Sequence, residues 1–87
     1  MFVILTYDIE EKRINRVRKT LKKYLTWTQN SVFEGEITEG KLHKCLSEIN
    51  KNIDKKTDLI YIYRVKMSKN ITKDVIGIEK SFDELFL

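Results

Sequence analysis

The chain opens on an apolar run, Phe2-Val3-Ile4-Leu5, that closes on Thr6-Tyr7-Asp8. A short run of this kind, rich in β-branched and aromatic types, predicts a central strand buried on both faces. The period then changes. Between residues 11 and 25 the apolar positions Ile14, Val17, Leu21, Tyr24 and Leu25 recur at spacings of three, four and one. That is one stripe of an amphipathic helix with its lysines and arginines outside. Residues 26–38 (TWTQNSVFEGEIT) return to β-branched and aromatic types. They predict two short strands joined near Gln29-Asn30, with Gly35 as a bulge or bend. A second helix over 39–53 carries Leu42, Cys45, Leu46, Ile49 and Ile53 as its apolar stripe, and Asp54 to Thr57 form a polar turn. Residues 58–66 (DLIYIYRVK) give the strongest strand signal, with Leu59, Tyr61, Tyr63 and Val65 on one side and Ile60 and Ile62 on the other. After a polar break at Ser68-Lys69-Asn70, a short strand is expected around Val75-Ile76-Gly77-Ile78, and Phe82, Leu85, Phe86 and Leu87 follow.

The order β-α-β-β-α-β with a trailing strand predicts an α+β fold, a ferredoxin-like βαββαβ sandwich with an extra C-terminal strand, in a single domain over residues 1–87. Two helices cover one sheet face. The central strands are apolar on both sides, so the other face calls for a second copy, a homodimer with facing sheets. Residues 75–87 come after the compact unit is complete and are expected to pack on the partner subunit.

Size supports the dimer. A chain of 87 residues has a marginal core and usually gains a staple. One cysteine, Cys45, forbids an intrachain disulfide, and one histidine with one cysteine provides no structural zinc site. Association is the staple that remains, and the cysteine count suits a reducing, cytoplasmic setting. No apolar run approaches the roughly 18–20 residues of a membrane span, and the N-terminal run lacks the basic flank of a signal peptide.

Charge adds a second theme. Seven of the 17 basic residues (Lys12, Arg13, Arg16, Arg18, Lys19, Lys22 and Lys23) fall between Lys12 and Phe33, where there is no acid. The rest of the chain holds ten basic against 13 acidic residues. A merely solvated helix usually mixes its signs through i,i+4 pairs, so this segregation points to a polyanion such as nucleic acid. Arg13, Arg16 and Arg18 suit phosphate oxygens by bidentate geometry and Lys19 by point charge.

Asp8 is the acid best placed for chemistry, at the end of the first strand. Two readings stand beside each other. Asp8 can be the N-cap of a capping box with Glu11 three residues on, or it can be a ligand for Mg²⁺ (or Mn²⁺). One aspartate is thin equipment for a hydrolase, since Mg²⁺ is held by one or two carboxylates plus substrate oxygens. Two copies related by a two-fold axis would supply two. Ser31 and Phe33 share one side of their strand, and Ser31 has no histidine nearby to activate it as a nucleophile. His43 reads as surface and Cys45 as core. Tyr61 and Tyr63 read as packing, because the glycine-aromatic signature of an RNA-recognition sheet is absent.

Tyr7-Asp8-Ile9, the helix centre Arg16-Val17-Arg18-Lys19-Thr20-Leu21, the stretch Gln29-Asn30-Ser31-Val32-Phe33-Glu34-Gly35 and the strand Leu59-Ile60-Tyr61-Ile62-Tyr63 together resemble the small CRISPR-associated Cas-two family over nearly the whole chain. The resemblance implies a ferredoxin-fold homodimer that works in spacer acquisition alongside the Cas-one integrase. It further implies a metal-dependent endonuclease acting on single-stranded RNA or double-stranded DNA, and a non-catalytic DNA-holding role in the adaptation complex. By position, Asp8 matches the family's metal-binding aspartate, and Tyr7, Arg16, Ser31 and Phe33 match positions near its cleft. The family often carries a glycine after the first helix and an arginine two residues before the glutamine, and here Trp27 stands at that basic position. Three functions remain to be told apart: a dimeric Mg²⁺-dependent nuclease of CRISPR adaptation, a DNA-binding adaptor of the integrase, and a toxin-type endoribonuclease of the same fold.

Overall fold

The structure, a computed structural model, describes residues 1–79. Its elements are β1 (Phe2–Asp8), α1 (Glu11–Leu21), β2 (Thr26–Gln29), β3 (Val32–Glu36), α2 (Glu39–Asn50) and β4 (Leu59–Val65), with a 3-10 turn at Ser68–Asn70. The strands form one four-stranded sheet in the order β2-β3-β1-β4, every neighbouring pair antiparallel. This is the ferredoxin-like arrangement that the element order predicts.

The apolar run at the N-terminus is the most enclosed strand, flanked on both sides by ladder partners. Val3, Leu5 and Tyr7 turn into the core, while Phe2, Ile4 and Thr6 are half-buried on the other face. The core is closed by Val17 and Leu21 of α1, by Leu42, Cys45 and Ile49 of α2, and by Phe33 and Trp27 of the β2–β3 hairpin. Burial pushes the Cys45 thiol up to about 11, so it stays protonated and serves as packing. His43 is exposed.

Both helices stop short of the expected ends. α1 ends at Leu21, not residue 25, because Lys23 and Tyr24 N–H donate to carbonyls three residues back and tighten the chain into a turn. α2 ends at Asn50, not residue 53. Asn52 Nδ2 donates to the Glu48 carbonyl there, and Ile53 still packs on the core past the helix end. The bulge lies in β2 between Trp27 and Gln29, not at Gly35, and the turn falls at Asn30-Ser31. Gly35 is paired with Val3 within the ladder but has φ +153°, a conformation that disfavours any L side chain.

The open sheet face carries Leu59, Tyr61 and Tyr63 of β4, each about half exposed. Among the described residues nothing covers these tyrosines. No strand forms at 75–78 among the described residues: Val75, Ile76 and Ile78 are exposed and pair with no ladder. Residues 80–87, the rest of the expected partner-packing tail, lie outside the described residues. No helix among those described is long and apolar enough to cross a membrane.

Candidate active site and nucleic-acid interface

β1 delivers Asp8 to the end of the sheet, opposite Leu59 of β4. The alternation along β1 places Asp8 on the open face with Thr6 and Ile4, and its side chain is exposed and unpaired among the described residues. The capping-box alternative does not form. The N-cap of α1 is Glu10, and no side chain caps the helix. The N-cap N–H is satisfied from another part of the chain, since Glu10 N–H donates to Asp58 Oδ1 at 3.0 Å.

Mg²⁺ takes hard oxygen ligands and tends to keep several waters, so one or two carboxylates suffice when phosphate supplies the rest. Asp8 fits such a role as an uncommitted carboxylate. Among the described residues no three His, Cys, Asp or Glu side chains converge into a cage.

The basic helix divides into committed and uncommitted charges. Arg13 was expected on phosphate, but it is half-buried and fastened to Asp58, with Nε 2.6 Å from Oδ2 and Nη2 2.9 Å from Oδ1. The Asp58 hydrogen bonds hold the Arg13 guanidinium charged far above its ordinary range, and Arg13 holds the Asp58 carboxyl well below the usual carboxylate range. Lys12 pairs with Glu10 at 3.8 Å, and Lys23 with Glu48 at 3.5 Å. Thus acids from neighbouring segments neutralise part of a run that holds no acid of its own. Arg16 and Lys19 are exposed and make no ion pair or hydrogen bond among the described residues.

Arg18 occupies an intermediate position. Its Nε donates to Tyr7 Oη at 2.8 Å, and its guanidinium lies 4.7 Å from the centre of the Trp27 ring. Lys22 Nζ stands 5.2 Å from the same ring, so Trp27 serves as a cation–π platform. Trp27 is itself buried, stacked on Phe33 at 5.8 Å with an interplanar angle of 6°. The Asn30 carbonyl ties the cluster together, accepting from Tyr7 Oη, Arg18 Nη2 and Trp27 Nε1. Tyr7 is buried and Phe33 has no exposed surface. The resemblance puts both near the nucleic-acid cleft, and here they support the site from beneath. Ser31 lies half-buried in the β2–β3 turn, where its carbonyl accepts from Tyr7 N–H at 3.1 Å. Asp8, Ser31 and the Arg18–Tyr7 cluster therefore meet at one end of the sheet, with Asp8 on the open face and Tyr7 on the helix-covered face.

Sequence reasoning missed Asp58. It reads in the sequence as the first residue of the strongest strand, whereas β4 begins at Leu59, and its partner Arg13 is 45 residues away. No local pattern could signal that pairing.

Fold and site define a small ferredoxin-like protein with a free carboxylate at the end of its central strand and a partly neutralised cationic helix beside it. A sequence model for the family described as CRISPR associated protein Cas2 matches residues 1–72. The chain belongs to that family. It is 60% identical over 79 residues to the CRISPR-associated endoribonuclease Cas2 3 of Thermodesulfovibrio yellowstonii, covering 91% of this chain and 90% of the relative. It is 42% identical to the CRISPR-associated endoribonuclease Cas2 of Dictyoglomus turgidum over the full length of both. Among solved structures, a crystal structure of Cas2 superposes with a TM-score of 0.72 at 41% identity, covering 93% of this chain and 91% of that one. Streptococcus pyogenes Cas2 superposes with a TM-score of 0.75 at 30% identity, covering 88% of this chain and 100% of that one.

Proposed function

We propose that this chain is a dimeric, Mg²⁺-dependent endonuclease of CRISPR adaptation that hydrolyses phosphodiester bonds in single-stranded RNA or double-stranded DNA and works with the Cas-one integrase. The observation that carries the reading is the exposed, uncommitted Asp8 at the end of β1, in a chain whose curated relatives are named endoribonucleases. Asp8 from each of two copies would hold the metal, which when bound would grip the phosphate and lower the pKa of an attacking water. Arg16 and Lys19 take phosphate oxygens directly, and Arg18 does so from its seat on Trp27 and Tyr7. Ser31, whose carbonyl accepts from the N–H of Tyr7 next to Asp8, would contact the same backbone. The exposed Leu59, Tyr61 and Tyr63 support a homodimer with facing open sheets, with residues 75–87 packing on the partner.

The DNA-holding adaptor is the second reading, favoured by one specific observation: a single chain brings together no cluster of metal ligands among its described residues. Labelled single-stranded RNA and double-stranded DNA, incubated with wild type and Asp8→Ala in Mg²⁺ or chelator, separate the two. Metal-dependent cutting that disappears in Asp8→Ala supports the nuclease. Tight binding by both proteins with no cutting by either leaves the adaptor.

A further inference from the structure

Asp58 is the most heavily used side chain in the described structure, and the nuclease reading assigns it nothing. Its carboxylate is fully enclosed. It accepts from Arg13 Nε at 2.6 Å, Arg13 Nη2 at 2.9 Å, Glu10 N–H at 3.0 Å and Asp54 N–H at 2.9 Å. Four donors occupy the approximately four lone-pair sites that an ionised carboxylate possesses. Arg13 Nη2 also donates to Thr57 Oγ1 at 3.0 Å, which fixes the guanidinium plane in the loop before β4.

The location matters more than the number of bonds. Asp58 immediately precedes Leu59, the cross-strand partner of Asp8. Glu10, whose N–H it grips, lies two residues beyond Asp8, and buried Ile9 fills the position between. Chain and contacts thus close a small ring: Asp8, Ile9, Glu10, the hydrogen bond to Asp58, then Leu59 and back across the ladder to Asp8. Strand pairing fixes Asp8 from one side and the Asp58 acceptor fixes it from the other. A carboxylate at the frayed end of a strand would otherwise be free to swing with its backbone, and a metal ligand loses affinity when its orientation is left loose.

We propose that Asp58, oriented by Arg13, is a positioning residue for the Asp8 carboxylate, setting its affinity for a divalent cation. The inference rests on the nuclease reading of Asp8 and deepens it. Asp58→Asn keeps the shape but replaces an acceptor oxygen with an amide that donates, so at least one donor of Arg13, Glu10 or Asp54 loses its partner.

The test compares wild type, Asp8→Asn, Asp58→Asn, Arg13→Gln, Arg13→Lys and the double variant Asp8→Asn/Asp58→Asn in the full chain. Thr38→Ala, which removes the α2 N-cap acceptor for Lys41 N–H, serves as a variant weakened elsewhere. Mn²⁺ binding is read by water-proton relaxation, and kcat and KM on labelled RNA are read against Mg²⁺ concentration, with circular dichroism recording the fold. Folded Asp58→Asn is expected to raise the half-saturating Mn²⁺ concentration by about tenfold or more, with KM for RNA unchanged. Arg13→Lys should recover part of the loss seen in Arg13→Gln, and the double variant should be no worse than Asp8→Asn alone. Thr38→Ala should lower the melting temperature without moving Mn²⁺ binding. Wild-type Mn²⁺ binding and kcat in a folded Asp58→Asn would overturn the inference while leaving the nuclease reading intact. Mn²⁺ binding and cutting that are indifferent to Asp8→Asn would instead overturn that reading and this inference with it.

Discussion

Phe33 shows why a residue near a cleft is not automatically a contact. It is wholly buried between Trp27 and Tyr7, with ring centres at 5.8 and 6.2 Å. Phe33→Ala should therefore cost about 3–5 kcal/mol in cavity and lost transfer energy. That is comparable with the whole stability of a domain this small, on the order of 4–13 kcal/mol. Denaturant melts should show partial unfolding at 25 °C, and lost cutting in this variant should track the unfolded fraction. Asp58 gives a residue-scale test in pH. Its carboxyl titrates well below the usual carboxylate range, chiefly through the hydrogen bond from Arg13. Its stabilising contribution is present above that range and is lost as the pH falls through the lower folded value. Asp58→Asn should thus be less stable than wild type at neutral pH but flatter in its acid limb, as measured by thermal melts between pH 6 and 2. Strand alternation made the opposition of Phe33 to Val32 and Glu34 legible in the sequence, while Ser31 falls in the turn before the strand. Alternation could not say which of the two sets faces the helices, because parity carries no sign. Phe33 reads from its residue type as core or dimer interface and from the resemblance as a position near the cleft, and the structure puts it in the core.

At the scale of elements, α1 carries the charge argument. Its amphipathic stripe was readable, and so was the excess of positive residues. The acids that meet them, Glu10, Glu48 and Asp58, come from outside that segment and are brought in only by folding. Arg16 and Lys19 are left uncommitted, so they should dominate the salt dependence of binding. If each neutralises one phosphate, Arg16→Ala/Lys19→Ala should reduce the slope of log K against log salt on duplex DNA by about 1.8. Arg13→Ala should leave the slope unchanged. Fluorescence anisotropy across a salt series separates the two, and a reduction of about 0.9 in Arg13→Ala would mean that Arg13 leaves Asp58 when DNA binds.

The described residues, taken together, make a two-layer fold in which they leave one sheet face uncovered. Its element order followed from the switch of apolar period between 2 and 3.6, and the strand order is the one that the βαββαβ sequence predicts. What the pattern could not supply is a fifth strand within one chain, because a strand is defined by its neighbour, and residues 75–78 pair with none here. The proposed dimer supplies the missing layer, since Leu59, Tyr61 and Tyr63 together form an apolar stretch of the kind that stable monomers seldom expose. Tyr61→Lys/Tyr63→Lys places two cations on that face and should give a folded monomer in sedimentation at concentrations where wild type is dimeric. A double variant that still sediments as a dimer would move the contact to another surface.

Trp27 is the only tryptophan of the chain, and two cations stand within 5.2 Å of its ring. Indole emission responds to nearby charge, so the protein contains its own optical reporter at the base of the cationic helix. A polyphosphate that draws Arg18 or Lys22 outward alters the field on that ring. Occupancy of the helix can then be followed by intrinsic fluorescence, without a label on either partner.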